Sequence, residues 1–309
     1  MSQFELPSSG SNLADGDRGR LLLGIGMIIL AMSIIPIMDG IAKHLTSSLD
    51  TMQIVWGRYF FHFVLFLPLV LYWHGSATFR LKRPVLQIMR GAFLLCSTFC
   101  FFSAIGTLPL ADALAVVFVF PFIVTALSPV LLGDSVGVYR WTAVLVGFAG
   151  ALVVIQPGFS NISVGTFWAL AAGSIYAFYV LATRKLAGSD PTLVTLLMTG
   201  LVGTLVSSVA LPWFWSQPTA FELLLMVLTG LLAAIGHYLI ILAHEYGTAP
   251  QLAPFAYFEI VATTIVGLLA FGDFPSAVTW IGIALIVLSG LVIGWREAVR
   301  GGQAYHSAC

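Results

Sequence analysis

The chain has 309 residues, 59% of them hydrophobic and only 8% charged. Soluble domains hold about a quarter charged residues, and a soluble chain of this composition would expose apolar patches large enough to aggregate, which leaves a polytopic helical membrane protein. With 13 basic against 13 acidic residues the formal net charge is zero, so no long-range field points to nucleic acid.

Residues 1–20 are polar and read as a disordered cytoplasmic tail, with a second cytoplasmic tail at 297–309. Apolar runs between turn-forming or charged breaks then give ten predicted spans. Each is near the ~20 residues needed to cross ~30 Å of hydrocarbon. The first covers 21–43 and ends on Asp39 and Lys43, which share a helix face. They read either as a helix-end ion pair, with Lys43 reaching outward, or as the polar rim of an outward-facing cavity. The second, 53–73, holds Arg58 roughly 8 Å inside the helix, Tyr59 beside it, and His62 one turn on. Arginine keeps its proton and must find an anion. That anion is either Asp39, tying spans one and two together, or a carboxylate or phosphate of a substrate. His62 reads as a hydrogen-bonded structural residue or as a proton relay.

The third span, 85–106, carries Arg90 near its cytoplasmic end, where it is expected to snorkel, and Cys96 and Cys100 at an i,i+4 spacing. With no further thiolate or imidazole nearby, the cysteines read as packing residues, and no metal is expected. The fourth, 111–132, starts on Asp112, a carboxylate suited to a helix N-terminus, and is followed by Gly133-Asp134. The fifth, sixth and seventh cover 139–157, 163–185 and 192–214. The eighth, 221–243, contains His237, read as a satisfied interhelical histidine. The ninth, 249–271, holds Tyr257 and the deepest carboxylate, Glu259, ~14 Å along the helix. Glu259 is the leading candidate for a proton-coupling or substrate-binding group; the alternative is a carboxyl hydrogen-bonded to a neighbouring helix. The tenth covers 277–295.

Pro36, Pro121 and Pro254 lie within spans one, four and nine, and broken backbone at membrane depth is tolerated beside protein or a cavity. Those spans, with span two, are expected to wall a cavity. Aromatic residues within spans, among them Phe118, Phe120, Tyr176 and Tyr179, serve packing or offer a stacking surface to a planar ligand. With the N-terminus in the cytoplasm, 11 of the 13 basic residues fall on cytoplasmic segments, the exceptions being Lys43 and Arg58. That bias predicts both termini inside.

The C-terminal parts of the two halves are alike. Each runs through a proline-broken span to Gly-Asp (Gly133-Asp134, Gly272-Asp273) and then a Trp-led helix (Trp141, Trp280). AKHL at 42–45 falls against TRKL at 183–186. Two halves of five spans, 21–158 and 159–296, must enter the membrane in opposite senses. Such an inverted repeat places a substrate site near the midplane between the halves.

Ten spans in two halves, Lys43 near the end of span one, Arg58 in IVWGRYFFH and the two Gly-Asp turns together resemble the EamA-type branch of the drug/metabolite transporter superfamily, over residues 20–296. That branch has Gly-Glu where this chain has Gly-Asp. MDGIAKHL followed by WGRYFFH is most similar to the bacterial subgroup that includes S-adenosylmethionine and riboflavin transporters. The resemblance implies an all-α inner-membrane protein of ten helices that moves a vitamin, S-adenosylmethionine or an amino acid by alternating access. It implies no cofactor and no catalytic residue. A small-molecule substrate is implied, with a coupling proton or exchanged solute, and a monomer or homodimer. An intramembrane enzyme is disfavoured because no H-E-x-x-H or G-x-S-x-G occurs, and a channel because no filter-like loop does.

Overall fold

The structure is a computed structural model that describes residues 10–75, 80–133, 136–155, 163–247 and 249–306. Among the described residues every regular element is a helix: α1 (Gly10–Leu45), α2 (Thr51–His74), α3 (Pro84–Ile105), α4 (Leu110–Val117), α5 (Phe120–Leu132), α6 (Val138–Ile155), α7 (Val164–Leu186), α8 (Thr192–Phe214), α9 (Ala220–Tyr246), α10 (Ala249–Ala256), α11 (Phe258–Phe271) and α12 (Ala277–His306). Helix α1 begins inside the stretch read as an N-terminal tail, and Asp134 of the first Gly-Asp turn lies outside the described residues. Eight helical stretches have the length and apolarity to cross a membrane, and the apolar helices Trp141–Ile155 and Ala277–Val292 are shorter.

Local chemistry sets the helix ends. Asp50 caps α2 by accepting from the Met52 amide at 2.8 Å, Ser163 caps α7 at Thr166, and Thr219 and Glu222 form a capping box at α9. Helices α5 and α11 both stop on a glycine in the left-handed conformation, Gly133 (φ 75°) and Gly272 (φ 70°). After Gly272 the Asp273 amide donates to Gly267 O at 3.1 Å, which fixes the direction in which Asp273 leaves the helix.

The proline expectation holds in two places and fails in one. The backbone breaks at Phe118–Val119, just before Pro121, and at Tyr257, after Pro254. Helix α1 passes Pro36 without interruption. Ser33 donates to Ile29 O at 2.8 Å one turn before the proline, and α1 packs against α9 on both sides of it.

Packing couples the halves throughout. The most extensive helix pairs are α1 with α9, α3 with α7, α6 with α12 and α2 with α8. Each joins residues before 156 to residues after 163, and exchanging the halves maps α1–α9 onto α7–α3. A buried core of Met38, Leu45, Ile54, Phe102, Ile105 and Met226 holds α1, α2, α3 and α9 together. At the α6–α12 crossing a Cβ on Gly150 would lie 2.7 Å from Gly282 O, and one on Gly282 2.6 Å from Gly150 O, so backbone meets backbone there.

Candidate functional site

The large charges of α1 and α2 cannot remain unpartnered in hydrocarbon without cost, about 2.5–3.5 kcal/mol each at helix centres on insertion scales. Lys43 turns away from Asp39, towards the other half of the chain. Its Nζ donates to Asp273 Oδ2 at 2.9 Å and to Leu108 O at 2.7 Å, and sits 5.1 Å from the Phe271 ring centre. This clasp ties the end of α1 to the turn after α11 and to the α3–α4 connection. It is the only ion pair among the described residues. The Asp39–Lys43 and Arg58–Asp39 pairs entertained from sequence therefore do not form.

Arg58, buried at 7% exposure, is held by neutral groups instead. Its Nη1 donates to the Thr98 hydroxyl and, at 3.4 Å, to Tyr59 OH. The Tyr59 and Thr98 hydroxyls also share a hydrogen bond of 2.9 Å. The guanidinium lies 5.1 and 5.8 Å from the Tyr59 and Phe102 ring centres, where cation–π attraction adds to the hydrogen bonds. Nε of Arg58 has no partner among the described residues.

A cavity of about 640 Å³ lies beside these groups, between the halves. Asp39, Arg58, His237, Tyr257 and Glu259 all line it. Helices α3 and α7 supply much of the remaining wall, through Ser97, Thr98 and Phe101 on one side and Ala172, Tyr176 and Tyr179 on the other. These two helices were not among those expected to wall a cavity, since both are regular and α7 is charged only at its end. The rings of Tyr257, Phe118, Phe120, Tyr176 and Tyr179 follow one another at centroid distances of 5.9, 5.9, 5.0 and 5.3 Å. This aromatic wall begins at the α10–α11 break and continues through the α4–α5 break onto α7. The two breaks thus place rings, not opened backbone alone, against the cavity.

Three sequence candidates lie outside the lining. Lys43 is in the clasp, and Tyr59 stands behind Arg58. His62 is buried with its Nε2 unpartnered among the described residues, and its ring centre is 6.4 Å from that of His237. His237 Nδ1 is 2.8 Å from Ala233 O within its own helix, and among the described residues the interhelical bond expected of it is absent. Arg90 does not snorkel. It is buried at 6% exposure and donates to Thr183 Oγ1 (2.8 Å), Tyr179 OH (2.8 Å), Thr195 O (3.3 Å) and Thr199 Oγ1, which binds α3 to α7 and α8.

The cavity is asymmetric along the bundle. Gly165 at the start of α7 abuts Thr107 and Leu108, so that end of α7 lies with the clasp. At the other end Arg83 donates to Lys185 O at 3.0 Å. The lining extends to Ser128 and Arg184 towards this second end, and excludes Lys43 and Asp273 at the first. The clasp therefore stands at the first end, outside the lining.

Residues 22–156 and 163–295 each match the family described as EamA-like transporter family. The chain is 26% identical over 275 residues to a Rickettsia bellii protein named S-adenosylmethionine uptake transporter, covering 89% of this chain and 94% of that one. It is 27% identical over 284 residues to a Rhizobium johnstonii riboflavin transporter, covering 91% and 94%. A Pseudomonas aeruginosa pseudopaline exporter is 28% identical over 275 residues, covering 87% and 95%. A crystal structure at 22% identity superposes with a TM-score of 0.64 over 89% of this chain and 96% of the other, a likeness of fold.

Proposed function

The chain belongs to the EamA-like transporter family, and from that premise we propose that it is a secondary transporter working by alternating access on a small polar or heteroaromatic metabolite. It is a multi-pass membrane protein and a transporter of small molecules, not an enzyme. Riboflavin, S-adenosylmethionine and amino acids are the substrate candidates. The relatives' names include both uptake and export, so either direction is open to this chain.

In this reading ten membrane helices form two inverted halves, 21–158 and 159–296, with α4–α5 and α10–α11 each counting as one broken span. The exchange-related helix pairs and the two matched breaks support it. Both termini face the cytoplasm of a bacterial inner membrane, which the distribution of Lys and Arg supports. Substrate occupies the cavity against Asp39, Arg58, His237, Tyr257 and Glu259. Tyr59 positions Arg58, His62 backs His237, and Lys43 closes the outer mouth. A proton or an exchanged solute supplies the driving force.

The carrying observation is an aromatic-walled cavity between the halves, with the Lys43–Asp273 clasp beyond its lining at one end and Arg184 within the lining towards the other. The test is counterflow in proteoliposomes with riboflavin, S-adenosylmethionine and amino acids, repeated with Glu259→Gln and Arg58→Ala. Saturable exchange of at least one solute is expected, reduced by both substitutions. No exchange, or a current linear in voltage, overturns the carrier reading. Exchange unaffected by either substitution overturns the site.

A further inference from the structure

The charge in the cavity is unevenly satisfied. Asp39 is only 5% exposed, lines the cavity, and has no hydrogen-bond or ion-pair partner among the described residues. Glu259 lines the same cavity and likewise lacks a partner there. The two carboxyls are within electrostatic range of one another, and Arg58 is the nearby cation. Arg58, however, is turned to Thr98 and Tyr59 and braced by two rings, so neither carboxyl receives a charge-assisted hydrogen bond from it. At low dielectric two carboxylates that no counter-charge contacts directly repel each other strongly.

The aromatic wall runs past this pair. Tyr176 is within electrostatic range of Glu259, and Tyr257 stands two residues before it at the α10–α11 break. Ring faces attract cations, and planar solutes stack on them. Carboxylates and aromatic faces converging on one cavity make a receptor for positive charge attached to a flat body.

We propose, building on the transporter reading, that the cavity selects solutes joining a positively charged centre to a planar ring, the centre lying between Asp39 and Glu259 and the ring against Phe118, Phe120, Tyr176 and Tyr257. A sulfonium, a pyridinium or a quaternary ammonium meets the first condition. A neutral vitamin meets only the second.

Two charge-switched pairs of probes test it on the full chain in lipid nanodiscs, with affinities read by calorimetry. One pair is S-adenosylmethionine and its neutral demethylated thioether, S-adenosylhomocysteine; the other is 1-methylnicotinamide and nicotinamide. The cationic member of at least one pair is expected to bind about tenfold more tightly or better. Asp39→Asn and Glu259→Gln are each expected to shrink that ratio towards one, the cationic member losing more affinity than the neutral one. Ratios near one in both pairs overturn the proposal in the unaltered protein, whatever the variants do. A preference that survives both substitutions also overturns it. A proton taken up by the carboxyls is the competing occupant, and it leaves both ratios at one. If riboflavin exchanges saturably while both ratios stay at one, the carrier reading stands and the cation preference falls. If a cation binds selectively but no solute exchanges, the carrier reading falls instead.

Discussion

Removing the clasp partner by Asp273→Asn leaves Lys43 with the Leu108 carbonyl at 2.7 Å and takes away the carboxylate at 2.9 Å. The two side chains are 15% and 30% exposed, so the pair is neither dry nor fully wet. A charge-assisted hydrogen bond contributes about 1.5–3 kcal/mol when buried and an exposed pair about 0–1, which places this one near 1–2 kcal/mol. If the clasp forms only when its mouth is closed, that loss raises the population open at this mouth by roughly 5–30-fold. The reporter is Met38→Cys, on the cavity wall, in a chain whose native cysteines are replaced, labelled in intact spheroplasts with a membrane-impermeant maleimide. Asp273→Asn is expected to raise the labelling rate by that factor, and Lys43→Met to do the same. The double variant should label no faster than the quicker single one, because both remove one interaction. Labelling rates unchanged in both single variants, or effects that multiply in the double, would refute the clasp as a gate.

Three further outcomes follow from named contacts. Thr98→Val strips Arg58 and Tyr59 of their shared hydroxyl and leaves Arg58 Nη1 only the longer bond to Tyr59 OH at 3.4 Å; weakening a buried charged donor in this way costs up to about 1–3 kcal/mol, so a lower thermal midpoint and slower exchange are expected, and an unchanged midpoint counts against the bracing. Arg90→Met breaks the tie from α3 to α7 and α8 and leaves the Tyr179 hydroxyl without its donor. It should lower stability by a similar amount without changing the cation-to-neutral binding ratio; a shifted ratio would put Arg90 in the site. Gly282→Val drives a side chain into Gly150 O at the α6–α12 crossing. Overpacking of this kind costs about 1–3 kcal/mol, read as faster unfolding in detergent, and an unaffected rate would deny the close approach.

Much of this was legible before any coordinates. Composition alone fixed the membrane class, and the isolated charges Asp39, Lys43, Arg58 and Glu259 announced themselves against hydrocarbon. Their partners did not, because i,i+4 spacing reports only neighbours on the same helix. Lys43 chose Asp273, 230 positions away, and Arg58 chose a threonine hydroxyl that hydropathy ignores. Arg90 was misjudged for a related reason: depth from a helix end says nothing about what stands beside it, and here four groups from α7 and α8 do. Proline located two of the broken spans correctly and failed at Pro36, where α1 runs on unbroken. The contribution of α3 to the cavity wall rests on Ser97, Thr98 and Phe101, residue types too ordinary in a membrane helix to stand out.

The crossing of α6 and α12 carries a restriction on how this sequence can drift. Most steric conflicts between neighbouring side chains can be repaired by shrinking the opposing residue. At Gly150 and Gly282 each would meet, besides side chains such as Leu285 and Val154, the other's main-chain oxygen, which every amino acid possesses. No second-site change at the facing position relieves it, so along any lineage that keeps this crossing the two positions are locked separately, although they touch.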